Sequence, residues 1–406
     1  MAAPEAAPLV LSDSAVDAFY AARAGAPLWF RDADSRAAAT KLAALLRNAE
    51  LDGLADGPEL ASSVEAAAAR AMPDDDKTIS VAWVRYAKAL QAPVEGVSYG
   101  DPALALKTLT AETILAKLAA APSMSAHVEQ VATVNPFYAA LRDIAVKQGS
   151  ASDPHVRATL GRLRLLPARG KAILVDVANA ELMTLEDGRV IDSMKVIVGK
   201  KDFPTPLLAG TIHYVTFNPY WHIPQDVARR KVAPVVIKRG VSYLKAARYE
   251  TVGAFGYDKE EPIDPESVDW KAVADGSIEV HIRQLTGPNN MMGKMKFGFV
   301  NDYGVFLHDT PHKELFAKAK RNLSLGCVRI EHPERLAEWL LGKDAAPSGD
   351  GAEQLVQVDK GVPIYITYLT ARPDGEKLAV ADDVYGLDKA QEPAAPVATA
   401  TASAKR

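Results

Sequence analysis

Lys171-Ala-Ile-Leu-Val-Asp-Val-Ala178, followed by residues 181–185, Asp187-Gly188 and residues 190–198, is the stretch on which the fold turns. The first run is short, apolar and rich in β-branched residues, as a buried strand is. Asp-Gly between two apolar runs is a strong hairpin signal, because both central residues of a type I′ turn need positive φ. Residues 211–217 and 277–283 read as further strands. So do 296–300 and 305–308, a second hairpin turning at Asn301-Asp302-Tyr303-Gly304, and 362–368 closes the series. Many strands joined by short turns predict a mainly antiparallel β-rich domain over residues 166–372.

Working outward, residues 225–276 interrupt the strand pattern with a basic helical stretch (227–238) and then Tyr, Gly, Asp and Pro. A segment of that length reads as an insertion over one face of the sheet, a lid. Toward the N-terminus, residues 14–165 are dominated by Ala, Leu, Arg and Glu, with apolar positions three and four apart, as in Leu42, Leu45 and Leu46 or Ile114, Leu115 and Leu118. They predict a helical domain with caps at Ser14 and Asp34 and stops at Gly25 and Gly53. The whole is α+β. Residues 1–13, 345–353 and 373–406 are expected to be mostly disordered. The first stretch has neither the basic nor the apolar region of an export signal, so either the protein is cytosolic or a signal has been trimmed and 1–13 is the remnant of a leader.

The chain has 406 residues, enough for two or three domains. Apolar residues make up 48% and the net charge is −4, which supports an ordinary core and argues against a nucleic-acid partner. No apolar run reaches the length of a transmembrane span. One cysteine excludes an internal disulfide; in a secreted protein a lone cysteine suggests an intermolecular pair or a reactive thiol. The eight histidines are too scattered for a metal motif, and no metal or organic cofactor is expected.

Chemistry concentrates in Phe306-Leu-His308-Asp309-Thr310-Pro311, an expected helical run to Arg321, and Ser324-Leu325-Gly326-Cys327-Val328-Arg329. A thiolate attacks carbonyls, so a nucleophilic cysteine needs a base within hydrogen-bond reach. A strand end at His308 and a turn at Cys327, joined by one helix, could meet. Gly326 lets the backbone turn closely, so that amides of Leu325, Gly326 and Cys327 could face an oxyanion. A lone cysteine is more often a small buried hydrophobe. His308 and His312 are four apart, but Pro311 breaks the helix that would make them a metal pair.

These segments resemble the YkuD-type L,D-transpeptidase family, whose signature is a His followed by a Ser/Thr-x-Gly-Cys turn. The resemblance is to the YcbB-like branch, and it extends in order through Gly161-Arg-Leu-Arg-Leu-Leu-Pro167, Val196-Ile-Val-Gly199, Phe203-Pro-Thr-Pro206, Phe217-Asn-Pro-Tyr-Trp-His-Ile-Pro224, Arg283-Gln284, Gly287-Pro288-Asn289-Asn290 and Lys296-Phe297. Pro27-Leu28-Trp29 and Leu51-Asp-Gly-Leu54 are similar to that branch's helical scaffold domain. Two departures stand out: Leu325 replaces the commoner His of the cysteine turn, and Phe306 stands where the branch often has Tyr.

The resemblance implies a periplasmic enzyme acting on peptidoglycan tetrapeptide stems of the diaminopimelate type, with other wall synthases as further partners. Cys327, activated by His308, would form a thioester and pass the acyl group to a neighbouring stem as a 3-3 cross-link. Asp309 or nearby carbonyls would orient His308. Arg329 and Ser324, Tyr220 and Trp221, and the ring of Phe306 are the remaining candidates for substrate contact. Two readings stay open beside this one: a thiol hydrolase of the same fold, acting as an L,D-carboxypeptidase or releasing wall-attached protein, and a catalytically silent wall-binding protein.

Overall fold

The computed structural model describes residues 13–253, 261–343 and 351–388. The expectations for residues 1–12, 345–350 and 389–406 lie outside the described residues.

Eight helices come first: α1 (Ser14–Ala22), α2 (Ala33–Leu46), α3 (Gly57–Arg70), α4 (Pro73–Leu90), α5 (Ala111–Ala120), α6 (Met124–Thr133), α7 (Pro136–Lys147) and α8 (Pro154–Leu163). Their caps differ from expectation. Asp13 and Asp32, not Ser14 and Asp34, accept the first free amides of α1 and α2. Asp34 instead reaches across to Ser123, Ser125 and the Met124 amide, which pins the start of α6 to α2. Gly25 and Gly53 lie beyond the last residues of α1 and α2 rather than at them, each in a turn with positive φ. Trp29, Trp83, Tyr86 and Tyr138 fill the helical core. Buried Asp52 accepts three bonds from Arg142 (Nε–Oδ1 2.8 Å, Nε–Oδ2 3.1 Å, Nη2–Oδ2 2.7 Å) and one from the Tyr138 hydroxyl, so its charge is fully engaged.

The strands are β1 (Ser98–Tyr99), β2 (Lys171–Asp176), β3 (Glu181–Glu186), β4 (Arg189–Gly199), β5 (Leu208–Phe217), β6 (Trp221–His222), β7 (Tyr249–Val252), β8 (His281–Gln284), β9 (Met295–Gly298), β10 (Leu307–His308), β11 (Asn322–Ser324), β12 (Val328–Ile330), β13 (Gln354–Thr367), β14 (Ala371–Asp374) and β15 (Lys377–Val380). The main sheet runs β1-β5-β13-β2-β3-β4-β12-β10-β9, and β9 pairs back onto β5, so the sheet closes on itself. The hairpin at Asp187-Gly188 is present, with φ of 49° and 72° at the two turn residues. Most pairings are antiparallel, but β1–β5, β10–β12, β11–β4 and β13–β2 are parallel.

Strand alternation divides the apolar residues between two cores. On β2, Ile173 and Val175 point inward with Leu182, Val196, Phe297, Leu307, Val328 and Ile364, while Ala172 and Leu174 join the helical core. The sheet is thus buried on both faces along β2, and the helices are fixed against it.

The insertion is larger than the expected 225–276. It begins at β6 and ends at β8, and β6, β8 and β7 form a separate three-stranded sheet. Residues 277–280 are not strand; β8 starts at His281. Helices α9 (Gln225–Val227), α10 (Ala233–Arg239), α11 (Ser242–Ala246) and α12 (Trp270–Asp275) pack Val232, Val236, Leu244, Trp270 and Val273 against Ile223 and Ile282. A last helix, α13 (Pro333–Leu341), covers the inner core with Leu336 and Leu340.

The expectation of a disordered tail from residue 373 is wrong for residues 373–388. β14 and β15 form a hairpin, and Asp388 is buried in an ion pair with Arg162 of α8, 2.5 Å apart. The composition of this segment is polar, but one buried carboxylate and Tyr385, stacked on Tyr368 with ring centroids 5.4 Å apart, tie it down.

Candidate active site

β10 sits between β9 and β12. Its registers place His308 opposite both Lys296 and Arg329, and Leu307 opposite Phe297 and Val328. Leu307, Phe297 and Val328 are fully buried inside the sheet, so period-2 alternation turns His308, Lys296 and Arg329 to the other face. Cys327 immediately precedes β12. Because β10 and β12 are parallel, a crossing segment must join them, and that segment is not the helix expected to run to Arg321. Only a short 3-10 turn forms, at Lys313–Ala317, with Lys318 already extended. The sequence Ala-Lys-Ala-Lys-Arg has helical propensity, but pairing wins: β11 must reach β4, and Arg321 donates to the carbonyls of Val196, Asn179 and Ala180.

His308 is buried, and its Nδ1 lies 2.5 Å from the Asp309 carbonyl oxygen. A carbonyl can only accept, so Nδ1 carries the proton and Nε2 is the basic nitrogen. Burial, then the positive charge of Arg329, lowers the imidazole to about 4, against the pull of the Asp309 carbonyl and carboxylate. The Asp309 carboxylate is occupied elsewhere, by the Thr310 and Lys294 amides at 2.7 and 2.8 Å and by Lys313 Nζ at 2.8 Å. Gly293 makes room for it: a Cβ there would lie 2.3 Å from Asp309 Oδ2.

Burial also raises the Cys327 thiol, opposed by the Phe306 amide and by the charges of Lys296 and Arg329. The thiol donates to the Gly304 carbonyl, 3.8 Å away. Both shifts favour the uncharged forms, a thiol at Cys327 and a neutral imidazole at His308. Gly326 has φ of 122°, a conformation that a side chain would strain. Ser324 Oγ donates to the Cys327 carbonyl (2.6 Å) and accepts from the Gly326 amide (3.1 Å). Ser324 thus braces the turn from within, and the Gly326 amide is not free. Among the described residues, the Leu325 and Cys327 amides have no protein acceptor.

Arg329 forms no ion pair among the described residues, and its Nε is buried without a partner. Phe306 lies beneath Lys296, whose Nζ is 4.2 Å from the ring centroid. Tyr220 stacks under Arg283 at 4.5 Å and gives its amide to Glu353. Trp221 packs into the small core of the insertion, edge-on to Tyr249. Lys296, which sequence reasoning did not single out as a site residue, lies opposite His308 in the observed register; the expected hairpin, turning at 301–304, would have set Phe297 there.

Residues 170–366 match the family described as the L,D-transpeptidase catalytic domain, YkuD, and residues 14–144 match the scaffold domain. Together these cover most of the chain, which carries a YkuD L,D-transpeptidase catalytic domain and a scaffold domain. A Haemophilus influenzae protein provisionally assigned as an L,D-transpeptidase is 29% identical over 236 residues, covering 56% of this chain and 47% of that protein. The chain spans about half the length of that curated relative. Among solved structures, an L,D-transpeptidase from Mycobacterium smegmatis is 13% identical over 48% of this chain and 58% of its own, with a TM-score of 0.24. L,D-transpeptidase 1 of Mycobacterium tuberculosis is 12% identical over 49% and 61%, with a TM-score of 0.19.

Proposed function

We propose that this protein is a periplasmic L,D-transpeptidase that forms 3-3 cross-links in peptidoglycan through a thioester on Cys327. The observation that carries this reading is the parallel β10–β12 register, which sets the Cys327 turn beside the strand bearing His308, with the cations Lys296 of β9 and Arg329 of β12 opposite that histidine. The match of residues 170–366 to the L,D-transpeptidase catalytic domain supports the same reading.

The donor is a tetrapeptide stem ending in diaminopimelate and D-alanine. The thiol proton passes to Nε2 of His308 as the sulfur bonds to the carbonyl carbon at the L-centre of diaminopimelate. Charge moves to the carbonyl oxygen, where the Cys327 and Leu325 amides donate to it. A low resting pKa makes the imidazolium a strong acid, suited to return its proton to the departing amine. The C–N bond to D-alanine breaks, D-alanine leaves with that proton, and the thioester remains. The side-chain amine of a second stem attacks the thioester, its surplus proton passes through His308 to the sulfur, and the thiol is restored. Arg329, partly desolvated and without an ion pair among the described residues, is suited to a carboxylate of the stem.

The test is incubation with purified disaccharide-tetrapeptide and mass analysis of the products. A cross-linked dimer with one D-alanine released per bond is expected from the wild type and none from Cys327→Ala. Tripeptide monomer alone would instead make the protein a hydrolase, and no product at all would leave only a wall-binding role.

A further inference from the structure

We infer that Thr205 and Tyr385 are positioning residues for the oxyanion donor, and that residues 381–388 form a strap that holds them in place. This rests on the transpeptidase reading.

The Gly326 carbonyl and the Cys327 amide belong to the same planar trans peptide, so they point in opposite directions. Thr205 Oγ1 donates to the Gly326 carbonyl at 2.7 Å and accepts from the Gly199 amide at 2.9 Å. Holding the carbonyl toward Thr205 therefore fixes the Cys327 N–H toward the opposite side, where it is free to donate. Ser324 braces the peptide units on either side of this one, but nothing within the turn holds the Gly326 carbonyl. With Gly326 in a conformation that glycine alone adopts easily, the peptide would otherwise be the loosest in the turn.

Thr205 is buried between two prolines, and its own amide donates to the Tyr385 hydroxyl at 3.3 Å. That hydroxyl in turn donates to the Gly199 carbonyl. Gly199 and Thr205 are thus locked together by one phenol. Tyr385 is held by stacking on Tyr368 and by its amide, which donates to the Tyr368 hydroxyl at 3.1 Å. Three residues on, Asp388 anchors the strap to α8 of the helical domain: Arg162 donates to Asp388 and to the Leu387 carbonyl, and His155 Nδ1 lies 2.8 Å from Asp388. A continuous set of bonds therefore runs from α8 to the peptide that precedes the nucleophile.

Two rates measured on the full chain test this. Acylation by a carbapenem such as meropenem develops an oxyanion, whereas alkylation by iodoacetamide displaces iodide and develops none at a carbonyl. Thr205→Val keeps the shape and removes the hydroxyl; it should slow acylation by about 10- to 100-fold, within the effect of losing one oxyanion donor, and leave alkylation of Cys327 within about twofold. Thr205→Ser should restore most of the acylation rate. Tyr385→Phe should slow acylation in the same direction by a smaller factor. Equal losses in both rates would mean that Thr205 only supports folding, and an unchanged acylation rate would mean that its hydroxyl aims nothing; either result overturns the inference. A wild type that takes no carbapenem would instead remove the transpeptidase reading, and this inference with it.

Discussion

His308 makes a quantitative demand on stability. Its imidazole moves from 6.5 to about 4 on folding because the ring is buried beside Arg329. Between those values the unfolded chain binds a proton that the folded chain does not, so stability falls as pH drops from about 6.5 to 4. At ~1.4 kcal/mol per pH unit the ceiling is about 3 kcal/mol, and about 2 kcal/mol is already lost at pH 5. Asp176 works the other way: burial raises it from 3.8 to about 6, so its contribution grows as pH falls. The difference between wild type and His308→Gln cancels that effect, since Gln can still donate to the Asp309 carbonyl. Urea unfolding at pH 7 and pH 5 should show the wild type losing about 2 kcal/mol more than the variant. Equal losses would refute the buried neutral imidazole. The same shift predicts that the acid limb of carbapenem acylation lies near pH 4, so the rate should not halve on going from pH 7 to 6.

Other positions give sharp contrasts. Gly326→Ala places a Cβ at φ of 122°, and should cost about 1–3 kcal/mol and slow acylation at least tenfold, read by denaturation and by stopped-flow. Arg329→Met removes a partly desolvated guanidinium that has no acidic partner among the described residues; it should leave stability unchanged or raise it by about 1 kcal/mol, while weakening donor binding as a raised KM. Asp388→Asn breaks a buried ion pair with Arg162 and should cost about 3 kcal/mol, measured by chemical denaturation.

Local pattern carried much of this architecture, and long-range pairing set its limit. The apolar run from Lys171, the Asp187-Gly188 turn and the hairpin around Asn301 are local signals, and each element is present in the fold. What the sequence hid is non-local. Nothing in Leu307-His308 or Val328-Arg329-Ile330 says that the two segments pair in parallel, yet that register is what gathers the site. The segment after Pro311 has helical propensity, but the need to lay β11 against β4 overrides it. Tyr385 and Asp388 sit in polar sequence that looks like a tail; only their partners on Tyr368 and α8 reveal them as structural. Thr205 was visible as part of a proline-flanked motif, but its bond to Gly326 spans 121 residues and has no local signature.

The central claim is that Cys327 is the nucleophile, and intact-protein mass spectrometry after exposure to a carbapenem tests it most directly. The strained lactam carbonyl stands in for the donor carbonyl, so the wild type should gain one drug mass, located on the peptide containing Cys327. Cys327→Ala should fold normally and gain none. An adduct of the same mass on Cys327→Ala, or a wild type that stays unmodified while Cys327 remains reduced, would contradict the account.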